Sequence, residues 1–119
     1  MTDWHPTVEA LQQRLAAFVA ERDWEQFHSP KNLTMGLCSE AGELSDHFRW
    51  LSEAQSRELD TAQHDAVRRE LADIQIYLLL LADKLDIDLL QATADKIEEN
   101  AAKYPAEQVR GHARKYTEL

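Results

Sequence analysis

VRRELADIQIYLLLLADKL, residues Val67–Leu85, places Val67, Leu71, Ile74, Leu78, Leu81 and Leu85 at alternating steps of four and three. Only a helix, turning once every 3.6 residues, gathers such a series on one face. A strand would alternate apolar and polar residues, and no stretch of this chain does so. Upstream, Leu33, Leu37, Ala41, Leu44, Phe48 and Leu51 repeat the same steps, with Ser29 as N-cap and Pro30 at the first helical position. An earlier helix is expected from about Pro6 to Arg22, carrying Val8, Leu11, Leu15, Phe18 and Val19 on one face. DWEQFHS, Asp23–Ser29, interrupts the pattern with aromatics, and Ser52–His64 reads as a surface connection. Asp88 with Gln91 resembles a capping box, opening a helix with Ala92, Ile97 and Ala101 that ends before Pro105. The tail, Ala106–Leu119, is polar and weakly patterned. The expectation is an all-α bundle of four main helices forming a single domain over residues 1–119.

The composition suits that expectation. At 44% hydrophobic and 29% charged, the 119 residues can form one core, and three Gly with three Pro leave long helices uninterrupted. A net charge of −9 disfavours nucleic acid, whose phosphates are bound by Lys and Arg patches. The single cysteine, Cys38, rules out an internal disulfide, and its place in the pattern assigns it to the core. The start of the chain shows no basic region followed by an apolar run, and Ile76–Ala82 is too short to span a bilayer. A soluble cytoplasmic protein with no membrane partner is expected.

Chemistry is written in two acidic pairs. Glu40 and Glu43 precede Glu70 and Asp73 by 26 intervening residues, and each pair has i, i+3 spacing. In a helix both carboxylates of such a pair point the same way. Glu40 and Glu43 fall on the row Gly36, Glu40, Glu43, His47; Glu70 and Asp73 fall on the row that continues to Tyr77. Both rows flank an apolar seam. Among 22 acidic residues some pairs arise by chance, but two pairs beside seams on successive helices suggest a semi-buried cation site. A di-iron bundle would want Glu-x-x-His, and neither pair has His at i+3. All-oxygen ligation suits Mg²⁺, with Mn²⁺ as a substitute, better than iron or zinc.

Two further groups of residues carry possible chemistry. Lys96, Asn100 and Lys103 share one helix face and could bind phosphate oxygens, or simply pair with Glu99 or Glu107 at a solvated surface. Trp24, Phe27, His28 and Trp50 could stack on a base, or cap the open end of the bundle. Tyr77 is equally suited to core or site lining.

On these residues the chain resembles the MazG-like all-α nucleoside triphosphate pyrophosphohydrolases, and among them the dCTP pyrophosphatases. The resemblance rests on ERDWEQFHSPKNL (Glu21–Leu33), SEAGELSDHFRW (Ser39–Trp50), ELADIQIYLLLLA (Glu70–Ala82), KIEENAAKYP (Lys96–Pro105) and RKYTEL (Arg114–Leu119). It implies that Glu40, Glu43, Glu70 and Asp73 bind Mg²⁺ at the catalytic centre; the attacking water would then be activated by one of these carboxylates, Glu40 or Glu43 first, or by the metal. It implies a base and sugar pocket of Trp24, His28 and Trp50, with Tyr77 nearby. Lys96, Asn100 and Lys103 would contact the triphosphate or sugar, and Lys115 and Tyr116 would close over it. The products would be a nucleoside monophosphate and pyrophosphate, and the assembly a homotetramer in which neighbouring subunits complete each site. Ala101 and Ala102 depart from the resemblance, standing where relatives often carry further basic residues. Competing expectations are a pyrophosphatase for dUTP or another nucleotide, and a non-enzymatic helical assembly module.

Overall fold

Thr7, Ser29, Asp60 and Asp88 each stand one residue before a long helix, and each side chain accepts the backbone N–H three residues on. Those N–H groups have no partner within the helix, so the caps decide where each helix begins. The computed structural model describes residues 6–119. Its helices are α1 (Val8–Glu21), α2 (Pro30–Phe48), α3 (Glu53–Arg57), α4 (Thr61–Lys84), α5 (Leu89–Lys103) and α6 (Ala106–Val109). Short 3₁₀ turns occupy Glu25–Phe27 and Tyr116–Glu118. No strand occurs among the described residues, as the periodicity requires. Nor is any described helix long and apolar enough to cross a membrane. The absence of a signal, read from the first residues, concerns positions that lie largely outside the described ones.

Three local features differ from the sequence reading. The connection Ser52–His64 is mostly ordered: Ser52 with Gln55, and Asp60 with Gln63, form complete capping boxes that open α3 and α4. Both signatures stood in the sequence, masked by the polar composition around them. At Asp88 only half a box forms, because the Gln91 amide turns to Asp95 at 2.9 Å. The end of α2 at Phe48 leaves Trp50 and Leu51 beyond the helix.

The chain divides into two compact units, Met1–Asp86 and Ile87–Leu119. In the first, α4 packs against both α2 and α1. Its core is Val19, Leu33, Leu79 and Ala82. Truncating Leu33 or Leu79 to Ala would cost about 2–5 kcal/mol. This corrects the expected α4 seam: Leu79 and Ala82 lie off it, while Leu71 and Leu85 on it remain 53% and 50% exposed. With helices packed on two of its faces, α4 buries the row between them rather than its most regular one. Gln12 Nε2 on α1 also donates to the Leu79 carbonyl at 3.1 Å. Cys38, expected in the core, is exposed. It lies one residue past the seam position Leu37, about 100° around the helix.

The aromatic segment is set by the way α1 ends. Asp23 takes a left-handed φ of 54°, its N–H bonds Ala20 O, and the Trp24 N–H reaches back to Val19 O at 3.0 Å. This is the Schellman pattern with Asp in the place usually held by Gly. It folds Trp24 back against α1, where its ring meets Phe18 edge-on at 5.7 Å. An ion pair between Glu25 and Lys84 fastens the turn to the end of α4.

In the second unit, α5 leaves Leu90 and Ile97 62% and 61% exposed, so the expected apolar row Ala92, Ile97, Ala101 forms no buried core. The tail folds beside the end of α5, with Tyr104 and Tyr116 edge-to-face at 6.0 Å.

Candidate active site

Packing α2 against α4 places their acidic rows opposite each other. Carboxylate oxygens of Glu40, Glu43 and Glu70 all lie within 4.8 Å of one another. Glu40 and Glu70 are half-buried, and each has its Oε2 buried without a hydrogen-bond partner. Such atoms are costly unless something fills their empty coordination. Burial pushes the Glu40 carboxyl up to about 7, helped by its hydrogen bond with Glu43 and by the charges of Glu43, Asp73 and Glu70. Asp73 is exposed and stands outside the tight trio, acting on Glu40 through its charge. His47 Nε2 lies 3.7 Å from Glu70 Oε1 on the far side of the row. Orphaned carboxylate oxygens with no sulfur among them fit a hard divalent cation.

Beside this cluster lies a cavity of about 610 Å³. Glu40, Asp73 and Tyr77 form one wall, and Trp24 and His28 contribute from the turn after α1. Leu11, Leu15 and Phe18 line it from α1. The volume is in the range that encloses a nucleotide-sized ligand. The sequence reading placed these α1 residues on the core face; they line a cavity because α1 covers only part of α4. Arg14 and Gln75, also at the wall, carried no pattern that singled them out.

The remaining candidates lie elsewhere. Trp50 is 85% exposed, has the Arg49 guanidinium 5.6 Å from its ring centre, and does not line this cavity. In the second unit, Lys96 and Lys103 both hold Glu99, each at 3.3 Å, which pulls the Glu99 carboxyl below its usual range. Lys103 also stands 5.1 Å over the Tyr116 ring. Asn100 sits between the lysines, and its backbone carbonyl accepts the Tyr104 N–H. The Lys115 N–H meets the Glu118 carboxylate at 3.3 Å.

Facing acid rows beside an aromatic-walled cavity give this all-α protein a site whose chemistry fits a divalent metal. Residues 36–119 match the model of the MazG-like family. Over 116 residues the chain is 42% identical to dCTP pyrophosphatase 1 of Rattus norvegicus, spanning 96% of this chain and 68% of the relative. The Homo sapiens protein of that name is 41% identical over the same shares. A pyrophosphatase of known structure from Archaeoglobus fulgidus superposes with a TM-score of 0.79 at 35% identity, covering 88% of this chain and 98% of that one. The chain belongs to the MazG-like family. The family match begins at Gly36, so both acid pairs lie inside it and the Trp24–His28 turn lies outside.

Proposed function

We propose that this MazG-like nucleoside triphosphate pyrophosphatase hydrolyses dCTP, or a 5-modified dCTP, between its α and β phosphates. The products are the nucleoside monophosphate and pyrophosphate, and Mg²⁺ is the metal, with Mn²⁺ able to replace it. The observation that carries this reading is the acidic cluster, with buried unpartnered oxygens on Glu40 and Glu70, beside a cavity walled by Trp24 and His28. The names of the rat and human relatives supply the cytosine preference.

Glu40, Glu43, Glu70 and Asp73 would hold the metal, which when bound would supply charge neutralisation for the phosphate oxygens and a more acidic water. Glu40 or Glu43 orients the attacking water and receives its proton. The new P–O bond forms as the P–O bond of the α–β bridge breaks, so that the nucleoside monophosphate and pyrophosphate separate, the leaving one of the two as the oxyanion. Trp24 stacks on the base, and His28 with Tyr77 bounds the rest of the base and sugar pocket. Lys96, Asn100 and Lys103 engage the triphosphate, Lys103 exchanging its contact with Glu99 for a phosphate oxygen. Lys115 and Tyr116 close the tail over the nucleotide.

The assembly is a homotetramer acting on the cytoplasmic nucleotide pool. Half-exposed Leu71 on α4 and Leu85 just after it, with Leu90 and Ile97 on α5, support it as apolar surface that a second copy would cover. Trp50 then completes the base pocket of a neighbouring subunit.

The test is incubation of the purified chain with Mg²⁺ and a panel of nucleoside triphosphates, with the products identified. Monophosphate and pyrophosphate, formed fastest from dCTP or a 5-substituted analogue, are expected. Release of orthophosphate, or no turnover of any nucleotide, overturns the reading.

A further inference from the structure

Gly36 lies on α2 one turn before Glu40, and it faces Tyr77, one turn after Asp73 on α4. A Cβ at Gly36 would stand 2.4 Å from Tyr77 Cε1, 2.6 Å from Cζ and 2.9 Å from the hydroxyl oxygen. Carbon atoms in contact sit about 3.5–4.0 Å apart, so the phenol occupies space that any side chain at position 36 would claim. Glycine inside a helix costs about 1 kcal/mol relative to alanine. No turn or positive φ requires it here, since Gly36 lies in the helix interior. What requires it is the ring.

Tyr77 has a second neighbour, the cavity it lines together with Glu40, Asp73, Trp24 and His28. Its ring therefore stands between the α2 backbone and the space where the nucleotide is placed. We propose that Gly36 is a positioning residue that determines specificity: by receiving the Tyr77 ring, it keeps that ring out of the cavity and sets the room left for substrate. This rests on the function proposed above.

A methyl group at position 36 leaves two ways out. Either the ring moves into the cavity, or α2 and α4 part. Parting would open the core at Leu33 and Leu79 and would separate Glu40 and Glu43 from Glu70. Displacing the ring into open space breaks no core packing, so the cavity narrows instead.

The test is Gly36→Ala in the full chain, assayed with Mg²⁺ on dCTP and 5-methyl-dCTP and examined by crystallography. KM for dCTP should rise about tenfold, the usual effect of one misplaced methyl group in a pocket. The rise should be larger for 5-methyl-dCTP, with kcat essentially unchanged, and the Tyr77 ring should be seen turned into the cavity. In the double variant Gly36→Ala/Tyr77→Leu, which lacks Cε1 and Cζ, the ratio of the two KM values should return toward that of the wild type. Unchanged KM values in an active Gly36→Ala enzyme overturn the proposal. So does a fall in kcat and Mg²⁺ affinity with the ring in place and α2 shifted. If the wild-type chain turns over no nucleotide, the function above fails, and the ring position in the Gly36→Ala crystal still decides the positioning role.

Discussion

The acid cluster between α2 and α4 and the lysine row on α5 use one sequence grammar and reach opposite electrostatic states. Both set charged residues three or four apart on a helix face. On α5, Glu99 lies between Lys96 and Lys103 and accepts from both, so the row neutralises itself locally and its carboxyl is held below the usual range. Across α2 and α4, burial together with the charges of Glu43, Asp73 and Glu70 pushes the Glu40 carboxyl up to about 7. A neighbour of opposite charge four residues away satisfies a charge without help. Like charges brought together by tertiary packing remain unsatisfied until a cation arrives. The first arrangement suits a surface; the second suits a site.

The contrast is broken most severely by Glu70→Gln. Turnover should fall roughly 10²–10³-fold, the scale seen when one group stabilising developing charge is lost. Circular dichroism should show the helices intact, because removing one of several crowded charges relieves repulsion. Undiminished activity would take the α4 pair out of the site.

Metal binding gives the next largest effect. Mg²⁺ at a hundred times its dissociation constant should stabilise the wild-type chain by about 2.7 kcal/mol, read from urea midpoints. Glu70→Gln should lose most of that gain. An unchanged midpoint in the wild type would mean that the acids tolerate one another without a cation.

The two regions should also respond to pH with opposite signs. Glu40 has a folded-state pKa raised from 4.5 to about 7, so the folded protein binds the proton more tightly than the unfolded chain. Metal-free stability should therefore fall as pH rises from about 4.5 through 7, and Mg²⁺ should flatten the slope. Glu99 is lowered, so its contribution is present above the ordinary carboxylate pKa and disappears as pH falls through the lowered value. Urea midpoints across pH 3–8, with and without Mg²⁺, separate the two; a metal-free curve rising steadily to pH 8 would contradict the Glu40 assignment.

The smallest change is expected from Glu99→Gln. Its ion pairs are exposed, and such pairs contribute little, so the thermal midpoint should not move measurably. KM for the nucleotide should fall, because the lysines are released for phosphate. A clear loss of stability would show that the row is a structural clamp after all.

Much of this molecule was legible residue by residue. The apolar steps of three and four reveal the helices, Ser29 and Asp88 mark two starts, and the acid pairs appear as rows beside the seams. The boxes at Ser52 and Asp60 are equally local, but the polar segment around them hides them from the apolar periodicity. Other features left no local mark. Cys38 follows a seam residue and reads as core, yet α2 is covered on one side only. Trp24 and Trp50 look alike in sequence, but a Schellman turn returns one to the cavity wall while the other projects into solvent.

Helix identity, helix starts and the pairing of acids on one face were determined by the sequence alone, because each depends on groups within one turn of the chain. Which α4 row is buried, which acid oxygens are left without partners and how closely Tyr77 approaches Gly36 were decided only by tertiary structure. Those properties depend on where a second helix lies, some thirty or more residues away, and no local spacing encodes that distance.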